Sequence, residues 1–464
     1  MVIGLPKDGL SPAWERDFAA YPPAGVILFR RDFRDLADLR RLTARLRERA
    51  RPRRLFIAVD EEGGWVSQLA GHLEVPPNAA LLARGGEPAD VEWASRVTAA
   101  RLRALGLDWD FAPVADTHSR PENPVIGPRA YGRTPEAVAG AVSRALAGLR
   151  AGGVASCLKH FPGHGDTALD SHLALPVCGA DRAELERREI APFRANLGAD
   201  AVMTAHVVYP ALDPAQPATF SRAIVTDLLR GELGFEGVCI TDAMEMKGAT
   251  LERGTFEASR LALEAGCDLL LFAFHDEAVR RVRLELADAL VDGAIDRTAF
   301  DAARPRLAAF DRAHPEPTAA DLATPLADLT PPDWENRLER IIERGLIVSG
   351  AWPAGSRGAP CEVRAPEFPH GPAFADELRA AGVTVAGSGA PCAIEAISSR
   401  TPIAPATIEE LRTRCRTRPS VLIGLQNDAF LDQVPEAALR LSASDATTLT
   451  RRVVARVLAE KLRG

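Results

Sequence analysis

Fourteen consecutive residues, Lys159-His160-Phe161-Pro162-Gly163-His164-Gly165-Asp166-Thr167-Ala168-Leu169-Asp170-Ser171-His172, hold three of the chain's nine histidines, a lysine and two aspartates. Side chains of these types exchange protons or hold charge near neutral pH, and their clustering marks sites rather than surfaces. The preceding run, Val154-Ala155-Ser156-Cys157-Leu158, reads as a buried strand. Pro162, Gly163 and Gly165 then exclude a helix and favour a tight loop. A loop on a rigid strand is where scaffolds carry chemistry. Asp170 and His172, two residues apart, form a carboxylate–imidazole pair. The carboxylate can orient the ring and favour its charged form, which leaves a histidine suited to general acid or base work. Taken alone, such a pair means little. The rest of the chain must supply its partners.

Eight short apolar runs recur along the first 310 or so residues: Val2–Leu5, Val26–Phe29, Leu55–Val59, Leu107–Phe111, Val154–Leu158, Ala201–Thr204, Val238–Ile240 and Leu269–Phe272. Helical patterns such as Leu36–Arg49, Val91–Leu105 and Pro135–Ala151 separate them. Near-continuous apolar strands alternating with helices predict a parallel sheet covered on both faces. Eight such units favour a (β/α)8 barrel over a doubly wound open sheet. Catalytic groups of a barrel lie at the C-terminal strand ends. There stand Asp60-Glu61-Glu62-Gly63-Gly64, Asp116, Asn123 to Gly132 with Arg129, Lys159-His160, His206 and Asp242. Asp242, directly after a buried strand, can be a nucleophile, a base or a ligand. Lys159 would repel a cation beside Asp166, Asp170 and His172, so metal is the weaker reading. A fixed carboxylate, an Asp–His pair and a ring of Asp60, Arg129, Lys159 and His160 point to acid-assisted displacement on a polyhydroxylated substrate. Glu61 and Glu62 read as solvated or supporting groups, and His164 as a residue that shapes the loop.

Residues 313–333 are rich in proline and small residues and read as a linker. The expected organisation is therefore a catalytic barrel over 1–312 and a smaller C-terminal α/β domain over 334–464, in which no chemistry is legible. The 464 residues carry a net charge of −7, which argues against a nucleic-acid footprint. Seven scattered cysteines without metal-ligand spacing read as reduced thiols. The first residues lack a signal peptide's pattern and no apolar run has membrane length. No membrane association and a cytoplasmic location are the expectations.

The motifs KHFPGHGDTALDSH, VDEEGG, FAPVAD and NPVIGPRAYG and the segment PATFSRAIVTDLLRGELGFEGVCITDAMEM resemble glycoside hydrolase family 3. They are similar in particular to its cytoplasmic, peptidoglycan-recycling β-N-acetylglucosaminidases, in order and over residues 1 to about 310. The resemblance implies the same barrel, and the expected architecture is this (β/α)8 barrel followed by a smaller sandwich-like α/β domain. It implies Asp242 as nucleophile, His172 as acid/base with Asp170 as its partner, and Asp60, Arg129, Lys159 and His160 as groups gripping a GlcNAc-containing carbohydrate. It implies a retaining mechanism with no cofactor and no metal. Two departures stand out. Trp65-Val66-Ser67-Gln68 replaces the family's usual Arg-Val-x-Arg, so Gln68 removes one sugar-contacting arginine, and Ala243 replaces a second aspartate after Asp242. Three other readings fit the same residues: a phosphorylase, a β-glucosidase of the family, and a sugar-binding protein on an inactive barrel. Retention of Asp242, Asp170 and His172 together weighs against the last.

Overall fold

The computed structural model describes residues 1–167, 175–250 and 253–463. Eight strands, β1 (Val2–Ile3), β2 (Gly25–Ile27), β3 (Phe56–Val59), β4 (Trp109–Asp110), β5 (Cys157–Phe161), β6 (Ala201–Thr204), β7 (Val238–Ala243) and β8 (Leu269–Phe272), form one parallel sheet. Their order is β4-β3-β2-β1-β8-β7-β6-β5. Parallel bridges Trp109↔Ala155 and Val114↔Lys159 bring the two ends together, which makes the sheet a nearly closed barrel. Each strand overlaps one of the eight apolar runs, β5 only at Cys157 and Leu158. Such strands are largely apolar because one face meets the barrel interior and the other the helices.

The interior follows the two-residue period of a strand. Phe56 and Ala58, Ala201 and Met203, Val238 and Ile240, and Leu269 and Leu271 share one buried cluster with Trp109. Phe310, from the helix Arg297–Ala313, enters the same cluster. Its ring lies 4.9 Å from Phe56 and 4.8 Å from Trp109, each the first residue of its strand. Aromatic rings thus fill the N-terminal end of the barrel. Polar groups are left the C-terminal end.

The chain folds into two compact units: 1–61, 92–119 and 133–329, and 62–91, 120–132 and 330–464. This differs from a single cut at the Pro-rich segment 313–333. Much of that segment belongs with the barrel, because Arg103 donates to Asp321 (2.8 Å) and Arg101 to the Leu329 carbonyl (2.8 Å). The excursions after β3 and β4 group instead with the C-terminal residues. Helix Ala79–Gly85 packs on helix Trp334–Gly345 so closely that a Cβ on Gly85 would overlap the Ile341 carbonyl oxygen. Only glycine allows that approach.

The second unit has its own sheet of β9 (Ile347–Gly350), β10 (Cys361–Arg364), β11 (Val385–Ala386), β12 (Cys392–Ile397), β13 (Ser420–Gly424) and β14 (Leu439–Ser442). The order is β9-β14-β13-β12-β10-β11, parallel except for β9 against β14. Ile394, Val421, Ile423 and Leu441 pack beneath Leu378, Val454 and Leu458 in its core. Among the described residues no helix is long and apolar enough to cross a membrane.

Candidate active site

Polar side chains stand at or just past the C-terminal ends of five barrel strands, β3 to β7. Lys159, on β5, is 2% exposed and its Nζ lies 2.6 Å from Asp60 Oδ1, just past β3. A buried ammonium is costly without a carboxylate at contact distance. Beneath this pair Asp110 accepts the Glu61 amide (3.0 Å), and burial pushes its carboxyl well above the usual range.

His160 is fixed by Asp116. The Asp116 carboxylate lies 2.7 Å from His160 Nδ1 and also accepts the backbone N–H groups of His160 (3.1 Å) and His164 (2.7 Å). Burial alone would raise Asp116, but His160, through charge and hydrogen bond, and then His164 more than offset this and hold it below the usual carboxylate range. An ionised carboxylate only accepts, so Nδ1 of His160 carries the proton that faces it. One buried group therefore sets both a ring orientation and a loop backbone. His164 is pushed down to about 4 by burial, with the charge of His160 adding to the effect. Its Nδ1 lies 2.8 Å from Thr167 Oγ1, consistent with a residue that shapes the loop.

Asp242 stands near the end of β7, half-buried, with Oδ1 accepting the Ala243 amide at 2.7 Å. Its negative charge acts on both His164 and His206, opposing the burial that lowers each. His206 has Nδ1 2.8 Å from Thr219 Oγ1 and Nε2 3.2 Å from the Ala243 carbonyl, so both nitrogens are engaged. That satisfied ring supports the backbone next to Asp242. Thr241 likewise supports the turn, since its hydroxyl accepts the Leu271 amide (3.0 Å) and ties β7 to β8.

The model of the glycosyl hydrolase family 3 N-terminal domain matches residues 14–310. The chain belongs to glycoside hydrolase family 3. A β-hexosaminidase of Neisseria meningitidis serogroup C (strain 053442) is 43% identical over 272 residues, which span 56% of this chain and 73% of that protein. A β-hexosaminidase of Alkalilimnicola ehrlichii is 41% identical over 300 residues, spanning 62% of this chain and 84% of that one. Among solved structures, a family 3 β-N-acetylglucosaminidase from Paenibacillus sp. str. FPU-7 matches with a TM-score of 0.87 at 28% identity, covering 99% of this chain and 95% of its own. The protein is a glycoside hydrolase, and its substrate is a carbohydrate.

Within this family 3 enzyme, Asp60, Lys159, His160 and Asp242 all belong to the barrel unit. Arg129 belongs to the second unit, where Glu62 holds its guanidinium through two hydrogen bonds of 2.8 and 2.7 Å. Glu62 is thus a partner of Arg129 rather than a solvated surface group. Asp170 and His172 lie outside the described residues. The stem that leads to them is firmly placed. Tyr209 donates to the Gly163 carbonyl (2.6 Å), Arg188 reaches Asp166 (2.6 Å), and a Cβ on Gly165 would overlap the Thr117 carbonyl oxygen.

Sequence reasoning placed Asp116 among the strand-end polar groups without a specific role and did not reach Glu189, Tyr209 or Arg188. The signal for Asp116 was available, a carboxylate closing the apolar run FAPVAD. Its partner His160 is 44 residues away, and no spacing rule connects them.

Proposed function

We propose that the protein is an exo-acting, retaining β-N-acetylglucosaminidase that removes terminal β-linked GlcNAc, with cell-wall fragments as its substrates. The observation that carries this reading is the arrangement at the ends of β3 to β7. There Asp242 and a histidine locked by Asp116 both act on His164, and next to that histidine in sequence a lysine is locked by Asp60. Asp60, Lys159 and His160 grip the sugar's hydroxyls, and Arg129 is assigned the same task.

Asp242 attacks the anomeric carbon while the glycosidic carbon–oxygen bond breaks. His172, its ring held by Asp170, gives its proton to the departing oxygen. A glycosyl–Asp242 ester results. The neutral imidazole of His172 then takes a proton from water, whose oxygen bonds to the anomeric carbon and releases Asp242. This is the two-step retaining scheme with a histidine in place of the usual acid/base carboxylate.

The test is turnover of an aryl β-GlcNAc glycoside against the matching β-glucoside, in phosphate-free and phosphate buffers. Faster release from the GlcNAc glycoside, with free GlcNAc as product in both buffers, is expected. A preference for the glucoside, or a glycosyl phosphate as product, overturns the assignment.

A further inference from the structure

Two aspartates of the β4 segment reach across to β3, and their surroundings differ. Asp108 accepts the Ile57 amide at 2.7 Å, and Arg47 (2.8 Å) and Arg54 (2.9 Å) answer its charge. Asp110 stands two residues on, on the same face by the period of a strand. Its Oδ1 accepts the Glu61 amide at 3.0 Å. The residue is 1% exposed, and its Oδ2 is buried with no hydrogen-bond partner among the described residues. Asp110 thus repeats the contact that Asp108 makes, but without the two guanidiniums.

The amide it holds belongs to the peptide that joins Asp60 to Glu61. β3 ends at Val59, whose carbonyl accepts the Phe111 amide (2.8 Å), so the strand ladder has stopped before that peptide. A side chain takes over there from the backbone, directly beside the carboxylate that lies 2.6 Å from Lys159 Nζ. Asp60, Glu61, Asp110 and Lys159 all belong to the barrel unit.

We propose that Asp110 is a positioning residue for the sugar site: by holding the Asp60–Glu61 peptide it sets where the Asp60 carboxylate stands against Lys159. It does so uncharged. An ionised carboxyl needs donors on both oxygens, and this one has a single amide in a dry interior. Burial is the largest influence and keeps the proton on. The Glu61 amide and Lys159 oppose it, while the charges of Glu61 and Asp60 reinforce it. Neutrality serves the Asp60–Lys159 pair. A second carboxylate would compete with Asp60 for the Lys159 ammonium, whereas a neutral acceptor orders the backbone and leaves that ammonium to Asp60. The inference rests on the reading of Asp60 and Lys159 as groups that grip the sugar.

The experiment measures KM and kcat on an aryl β-GlcNAc glycoside for wild type, Asp110→Ala and Asp110→Asn. Asp110→Ala loses the acceptor. Its KM is expected to rise roughly three- to tenfold, the scale of losing about one hydrogen bond, with kcat within about twofold. Asp110→Asn keeps a neutral carbonyl of the same shape within reach of the amide, so its KM should return to within about twofold of wild type. Lost packing alone would lower the melting temperature without that split or that rescue. In a second arm, the infrared difference spectrum of wild type minus Asp110→Asn at neutral pH reads the carboxyl itself, with no substrate and without the alanine variant. The C=O band of a protonated acid is expected. A wild-type KM in Asp110→Ala, an asparagine variant as impaired as the alanine one, or a carboxylate band in the difference spectrum each overturns the inference. Absence of turnover in the wild type would instead overturn the glycosidase reading.

Discussion

Both units of this enzyme are built on parallel strands, and both bury charged side chains, but the charges behave differently. In the second unit they close locally. Arg451 is buried against Glu377 and donates to the carbonyls of Ala446 (2.8 Å) and His370 (2.8 Å), while Asp445 is surrounded by Thr447, Thr450 and the Asn78 amide. In the barrel the charges act on one another across strands. His164 feels His160, Asp116 and Asp242, and His206 feels Asp242 and His160. A buried charge that is fully answered by its near neighbours holds a fold together. Charges coupled across several strand ends keep each other's protonation states in balance, which is what acid–base and nucleophilic steps require. Mutations should therefore separate rate from stability along the same line.

The largest effect is expected at Asp242. Asp242→Ala should lower kcat on an aryl β-GlcNAc glycoside by several orders of magnitude, roughly the scale of losing an essential nucleophile. Its thermal midpoint should stay close to wild type, because the side chain is half-buried and accepts from the amide of its own neighbour, Ala243. Matched circular dichroism and turnover on the purified variant decide this. A folded variant with a substantial fraction of wild-type rate would move the nucleophile elsewhere.

His172→Ala sharpens the comparison because its effect should depend on the leaving group. A dinitrophenol departs with little protonation, whereas a sugar alkoxide needs a proton in the transition state. Cleavage of a disaccharide should fall far more than formation of the glycosyl–enzyme from a dinitrophenyl glycoside. The second step then lacks its base, so the activated substrate should give a burst followed by slow turnover, with azide restoring turnover as a glycosyl azide. Equal losses on both substrates and no azide product would make His172 structural.

The opposite pattern is expected in the second unit. Arg451→Met strands Glu377 and two carbonyls in a dry interior, a loss of about 3–5 kcal/mol for a broken buried pair. Its kcat, measured below the lowered melting temperature, should match wild type. A large fall in kcat with an unchanged melting temperature would erase the distinction between the two units.

How far the chain could be read beforehand follows the same division. The barrel strands were legible because burial on both faces leaves largely apolar runs, and so was the placing of Asp60, Lys159, His160 and Asp242 at or just past strand ends. Asp116 was visible only as a carboxylate, since its meaning depends on His160 from another strand. The grouping of 62–91 with the C-terminal residues depends on close approaches such as Gly85 against Ile341, which leave no periodic signal. Local pattern reports which face is buried, not which distant side chain it meets.

The smallest effect is expected at Glu189, and it tests whether a barrel charge outside the proposed catalytic set still titrates with the loop stem. Burial raises its carboxyl to about 7 from an ordinary 4.5, even though Arg188 donates to it at 2.7 Å. Between those two values the folded protein holds a proton that the unfolded chain has released. Glu189 therefore stabilises the fold at low pH, and that contribution is lost as pH rises through about 7. The slope inside the window is at most about 1.4 kcal/mol per pH unit. His164 works in the opposite sense. Its folded value near 4 lies below its ordinary 6.5, so the unfolded chain holds more protons there and stability rises with pH. The two partly cancel in the wild type, which is why the informative quantity is a difference. Urea midpoints of wild type and Glu189→Gln, measured from pH 5 to 8, should show wild type losing ground to the glutamine variant as pH rises, because glutamine keeps the shape but has no proton to lose. If the difference is flat, Arg188 keeps Glu189 ionised throughout, and the loop stem joins the second unit's pattern of locally closed charge.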